Sequence, residues 1–216
     1  MSKQTRVAIA VALVAIAGFG AAFAYQLLAA PGPVDSSART STVVRSDSHR
    51  LGDEGDGKVT LVEFLDFECE SCRAAYPFIE QLRARYAGEV TFVVRYFPIQ
   101  SHRNADNAAY AVESAARQGK FEDMYKQMFE TQLEWGERQD SQAKLFRSYA
   151  KDLGLDMSTY DQDVTSPAVA ARVKRDVEDG MALGVSGTPT FFLDGKKLVA
   201  GSTEEFTLAI DRALAR

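Results

Sequence analysis

Two cysteines, the only two in the chain, stand three positions apart where an apolar, β-branched run gives way to a helical one: Phe64-Leu65-Asp66-Phe67-Glu68-Cys69-Glu70-Ser71-Cys72. If Cys69 opens the helix, Cys72 lies one turn further on. The two Cα atoms are then roughly 5–6 Å apart, a separation that a disulfide accepts without backbone movement. The unsatisfied N–H groups and partial positive charge at the helix start favour a thiolate at Cys69, while Cys72 sits deeper. One sulfur can attack and the other can resolve. Half a zinc site is the competing reading of this spacing, and it fails on ligand count: there is no second cysteine pair, and the only histidines are His49 and His102, neither spaced like a finger. A purely structural disulfide is the other rival, but closing so short a loop removes little unfolded-state entropy.

The chain has 216 residues, enough for one domain with an insertion, and a net charge of −5 with lysines and arginines scattered rather than clustered. That balance argues against a nucleic-acid partner. At the N-terminus Lys3 and Arg6 precede an uncharged run over residues 7–30. Such a run spans ~30 Å of hydrocarbon as a helix, with the basic end in the cytoplasm. The expectation is a signal anchor over residues 1–30, a single pass through the cell membrane, and a catalytic domain outside the cytoplasm. The alternative is secretion after cleavage, because Ala22-Phe23-Ala24 has the small-x-small form that a signal peptidase accepts. Both readings place the cysteines where disulfides persist. Residues 31–42, rich in Pro, Gly, Ser and Ala, read as a flexible tether.

From there the pattern predicts β-α-β, a helical insertion at about residues 104–183, and β-β-α. Residues 59–65 are apolar on both faces, as in a central strand. A helix follows over residues 69–87, with Pro77 predicting a kink. A second, parallel strand covers residues 89–97. Strand character returns at Thr190-Phe191-Phe192-Leu193, turns at Asp194-Gly195 and resumes at Leu198-Val199-Ala200, a hairpin with a type I′ signature. A closing helix runs from a cap at Ser202 or Thr203 to Ala215.

That order, with the cysteine pair opening the first helix, resembles the thioredoxin fold, and the insertion makes residues 43–216 similar to the DsbA-like thiol-disulfide oxidoreductases. Glu63, six positions before Cys69, Pro77, five after Cys72, and the loop Val185-Ser186-Gly187-Thr188-Pro189 carry the match. The resemblance implies an α/β thioredoxin-like domain with an inserted helical subdomain. It implies that Glu63 is a buried carboxylate relaying the proton of Cys72, and that Pro189 is cis, setting Thr188 beside the sulfurs as a strand-like partner for a substrate segment. Reduced exported proteins would be the substrates, and a quinone-linked membrane protein the reoxidising partner; no cofactor or metal is implied. The dipeptide Glu70-Ser71, counted with Thr188 among the substrate contacts, departs from the Pro-His of the best-known oxidases. Its carboxylate, with Glu68 and Asp66 nearby, is expected to oppose the Cys69 thiolate and to make a weaker oxidant.

Bland readings stand beside these. Glu63 reaching solvent from its strand, an ordinary trans turn at Pro189, exposed turn histidines at His49 and His102, and core roles for Trp135, Phe121, Met124 and Met128 follow from composition alone. The rival functions are an extracytoplasmic reductase, favoured by the acidic dipeptide; a copper-handling module using Cys69, Cys72 and His102; and a binding module with an inert disulfide.

Overall fold

The computed structural model describes residues 43–53 and 55–216. Strand β1 is His49–Leu51, β2 is Val59–Leu65, and helix α1, Glu70–Arg85, leads to β3, Val90–Tyr96. Six helices follow: α2 Ala105–Ala116, α3 Phe121–Glu130, the short α4 Gln132–Trp135, α5 Ala143–Asp152, α6 Met157–Asp163 and α7 Pro167–Ala182. The hairpin β4, Thr190–Leu193, and β5, Lys196–Leu198, and helix α8, Thr203–Leu214, complete the order. The strands form one mixed sheet in the order β1-β3-β2-β4-β5, with β2 and β3 parallel and the other pairs antiparallel.

The two-residue strand period sorts the core into two layers. Val59, Leu61 and Leu65 of β2 and Val90, Phe92, Val94 and Tyr96 of β3 pack with Cys72, Ile79 and Leu82 of α1 and Ile210 of α8. Val62, Phe64 and Val93 face the other way, against Val43, Phe97 and Val177 of α7. Both faces of β2 are thus buried, which accounts for its unbroken apolar run. Arg95, on the second face, is fully buried and bonds Asp176 Oδ1 at 2.7 Å, Asp179 Oδ2 at 2.5 Å and the Val43 carbonyl at 2.7 Å. Loss of one partner would strand a buried charge.

Two differences from the sequence reading have local causes. Strand β1 has no amphipathic run of its own, being three residues long, and exists because β3 offers a free edge to pair with. The hairpin's second strand begins directly after the turn, at Lys196, and stops at Leu198; Val199 is 85% exposed outside it. Asp194 and Gly195 both take positive φ, 48° and 76°, as a type I′ turn requires. Helix α1 runs as one element through Pro77. Among the described residues no helix is long and apolar enough to cross a membrane. The anchor expected over residues 1–30 and the tether over 31–42 lie outside them.

Candidate active site

The strand-to-helix junction places the two sulfurs by local rules. Leu65 ends β2, and the Asp66 carboxylate accepts from the Glu68 N–H at 2.8 Å, turning the chain so that Cys69 becomes the N-cap of α1. Cys69 has extended backbone, φ −69° and ψ 123°, and Cys72 is one turn inside the helix. Both thiols are free. The residue Cys69 is 8% exposed and Cys72 1%, so the outer sulfur is itself largely sheltered and the inner one closed off.

The environments of the two sulfurs push their acidities apart. The Cys72 thiol donates to Cys69 and holds its pKa near 5, against the opposing effect of burial; Thr188 and the N–H groups of Cys72 and Ser71 act in the same direction. Burial raises Cys72 well above the usual thiol range, and the hydrogen bond to Cys69 and the charge of Glu63 reinforce it. A pair so separated is the signature of one nucleophile and one reserve thiol.

The Thr188–Pro189 peptide is cis. As a thiol, Cys69 donates through Sγ to the Thr188 carbonyl at 3.3 Å. The Thr188 hydroxyl is buried without a hydrogen-bond partner, and it lowers the Cys69 pKa. The carbonyl accepts from the thiol, and the Thr188 side chain favours the thiolate.

Glu63 lies on the face of β2 that α1 covers, 5% exposed, and does not reach solvent. Burial and the Cys69 charge push its pKa up to about 8. It is therefore a protonated carboxylic acid at neutral pH, electrostatically coupled to both sulfurs.

Glu70 and Ser71 are exposed on the rim. The carboxyl that Glu70 meets is that of Glu137, raising the Glu137 pKa by hydrogen bonding and charge. The other two acids are engaged: Glu68 accepts from the N–H groups of Asn104 at 2.5 Å and Glu137 at 3.1 Å, and Asp66 accepts from the Ile99 N–H at 2.9 Å as well as Glu68.

His102, expected in open solvent, is 29% exposed and its Nδ1 lies 2.5 Å from Asp66 Oδ2. Burial lowers its pKa, but the Asp66 hydrogen bond and the charges of Asp66 and Cys69 outweigh it, giving a net rise. With that nitrogen committed to Asp66, and no cluster of three metal-ligating side chains among the described residues, the copper reading has no geometric support. His49 is likewise not free: it lies 2.6 Å from Glu113 and stacks on Phe121 at 4.2 Å. Trp135, Met124 and Met128 are fully buried and Phe121 nearly so. The sequence offered no signal for Gln132, whose side-chain amide reaches the carbonyls of Phe67 at 2.6 Å and Cys69 at 3.0 Å. Asp66, two positions before Glu68 after a strand, carried the weak signal of an Asx turn.

Residues 45–212 match the family model described as Thioredoxin. Among solved structures, a thioredoxin-like oxidoreductase from Silicibacter pomeroyi DSS-3 superposes with a TM-score of 0.68 at 27% identity, covering 82% of this chain and 98% of that one. Oxidised BdbD from Bacillus subtilis gives 0.68 at 21% identity over 78% and 94% of the two chains. Wolbachia pipientis alpha-DsbA1 gives 0.69 at 18% over 82% and 96%. Among curated proteins, the Na(+)/H(+) antiporter NhaA 1 of Mycobacterium sp. (strain KMS) is 38% identical over 154 residues. That alignment takes in 69% of this chain but only 24% of the antiporter.

Proposed function

The chain belongs to the thioredoxin family, in the DsbA-like form of its fold, and from that premise we propose that it is an extracytoplasmic thiol-disulfide oxidoreductase that introduces or exchanges disulfides in exported proteins. The observation that carries this reading is the Cys69 thiolate: favoured at a helix start, supported by Cys72 and faced by Thr188 before a cis proline. A thiolate stabilised only in the reduced form makes the disulfide the stronger oxidant, so the oxidising direction is favoured over the reductase alternative.

In that direction a substrate thiolate attacks the Cys69 sulfur of the Cys69–Cys72 disulfide. The S–S electron pair passes to Cys72, which takes up a proton, and Glu63, protonated at neutral pH and coupled to that sulfur, is the donor at hand. A second substrate thiolate then attacks the substrate sulfur of the mixed disulfide and expels Cys69 as its stabilised thiolate. The extended substrate segment lies along Thr188, with Glu70 and Ser71 on the rim beside it. Two electrons remain on the dithiol, so a membrane oxidant must collect them. Residues 7–30 would hold the domain at the membrane surface, where such a partner works. The antiport named for the curated relatives belongs to proteins of which this chain matches 24%, and it forms no part of this proposal.

The test is reactivation of reduced, denatured ribonuclease by the oxidised protein, together with equilibration of Cys69–Cys72 against glutathione. An oxidase yields stoichiometric reactivation and a potential well above that of thioredoxin, which is near −270 mV. Insulin reduction with a potential at or below that value would establish the reductase instead, and neither activity would sink the oxidoreductase reading.

A further inference from the structure

The inserted helices reach the redox centre through hydrogen bonds that run in both directions. The loop before α1 offers two carbonyls, Phe67 and Cys69, and the buried Gln132 side chain on α4 donates to both, at 2.6 and 3.0 Å. The same loop offers the Glu68 carboxylate, which accepts from the N–H groups of Asn104 and Glu137 on either side of the α2–α4 segment. Asn104 is fully buried and closes the far side, donating to the carbonyls of Arg138 and Asp140 and accepting from the Gln142 N–H. A glutamine amide has two N–H donors, and here both go to one three-residue stretch that includes the nucleophile.

We propose that Gln132 is a positioning residue of the redox centre: by pinning the carbonyls on both sides of Glu68 to the helical insertion, it holds the Cys69 sulfur against its anion-stabilising donors. The inference rests on the oxidoreductase reading and deepens it. The Cys69 carbonyl accepts from Gln132 and from the Arg73 N–H at 3.1 Å. With the carbonyl so fixed, the peptide that begins α1 cannot swing, and the N–H groups of Ser71 and Cys72 stay aimed at the Cys69 sulfur. The donors on Gln132 also offset the negative ends of two carbonyl dipoles close to the developing thiolate. The charged and titratable groups around the same loop are Asp66, Glu68, Glu70, His102 and Glu137, with Glu63 and Cys72 facing the sulfur from the interior, and both substitutions below retain all of them.

Two substitutions test this in the reduced, full-length protein. Gln132→Met keeps the length of the side chain and removes its donors; Gln132→Glu keeps its shape and sets a carboxyl against the two carbonyls. Thiolate absorbance against pH reports Cys69, and the single tryptophan, Trp135 at the end of the same helix, reports whether α4 is seated. The expected result is a Cys69 pKa about one unit higher for the Met variant, which is about tenfold less thiolate at low pH, and a larger rise for the Glu variant. The equilibrium constant with glutathione changes by the same factor, about 30 mV for a two-electron couple. A purely structural role would lower the melting temperature and leave that titration where it was; an unmoved titration in either variant with native Trp135 emission overturns the proposal.

The wild-type protein supplies a second reading that needs no substitution. Closing the disulfide takes the Cys69 sulfur off its donors and, through Gln132, shifts α4, so Trp135 emission differs between reduced and oxidised protein; identical emission in both states overturns the coupling. Failure of the wild type to reactivate ribonuclease would count against the oxidoreductase reading alone, since neither the titration nor the emission depends on turnover.

Discussion

The Cys69 sulfur sits 3.3 Å from the Thr188 carbonyl oxygen, across a gap of more than a hundred residues in sequence, and the same threonine presents a buried, unpartnered hydroxyl to the site. One residue therefore accepts a hydrogen bond from the thiol and favours the thiolate, and its peptide bond to Pro189 is cis.

Thr188→Val keeps the shape of the side chain and removes the hydroxyl. The Cys69 pKa is expected to rise from about 5, by roughly half to one unit, the worth of one hydrogen bond to a charged group at a partly open site. The melting temperature should hold within a few degrees, since the hydroxyl has no partner to lose among the described residues. Thiolate absorbance and a thermal melt measure the two effects. A large fall in melting temperature without a change in the titration would assign Thr188 to the core instead.

Cys72 makes the first contribution to the acidity of Cys69. Cys72→Ala should move the Cys69 titration up by one to two units toward the ordinary thiol value of 9.0, whereas Cys72→Ser, which can still donate, should move it less. Cys72→Ser should also accumulate mixed disulfides with a disulfide-bonded substrate, the Cys69 thiolate attacking the substrate S–S bond and releasing one substrate thiolate with no second thiol to resolve the product, visible on non-reducing gels, and Cys69→Ser should trap few. Equal trapping by the two serine variants would contradict the assignment of attacking and resolving sulfurs.

Glu63 ties pH to stability. Its folded pKa of about 8 lies above the ordinary carboxyl value of 4.5, so the folded state favours the neutral acid. That advantage is complete below pH 4.5 and fades as the pH rises to about 8. Glu63→Gln is neutral throughout. Relative to the wild type it should become progressively more stable across that window, by on the order of a few kcal/mol at the top, with each unit worth about 1.4 kcal/mol. Urea midpoints at pH 5 and pH 8.5 check the sign. The contribution of Cys69 runs the other way, from 9.0 in the unfolded chain to about 5, so that stability is gained as pH rises, and it is common to both proteins. The same variant should slow formation of the mixed disulfide by roughly a hundredfold, the low end of the range for losing one general acid.

Glu70→Gln is expected to leave the Cys69 titration within about 0.3 units, a shift worth only about 0.4 kcal/mol, because the carboxyl faces Glu137 at an exposed rim. The change should instead appear at Glu137, whose raised pKa falls back once its neighbour is neutral; carboxyl chemical shifts followed against pH would show it. A drop of a full unit at Cys69 would restore the acidic dipeptide as the tuning element.

The sequence by itself determined the parts of this protein that depend on near neighbours. Unbroken apolar, β-branched runs marked β2 and β3, the three-residue spacing put Cys69 and Cys72 on one helical turn, and Asp194-Gly195 marked its own turn because both residues accept positive φ. The family pattern added Glu63, Thr188 and Pro189, whose settings cannot be read from adjacent residues. Tertiary structure alone decided the rest. Glu70 looked like a charge set against Cys69 along the chain, yet it lies exposed on the rim, while Gln132, 63 positions away, reaches the Cys69 carbonyl. His102 was a loop histidine until β3 brought it against Asp66. The physical reason is the steepness of hydrogen bonding and charge interaction with distance: a thiol's acidity is set by atoms within a few ångströms, and which atoms those are is decided by the fold that closes the sheet around them.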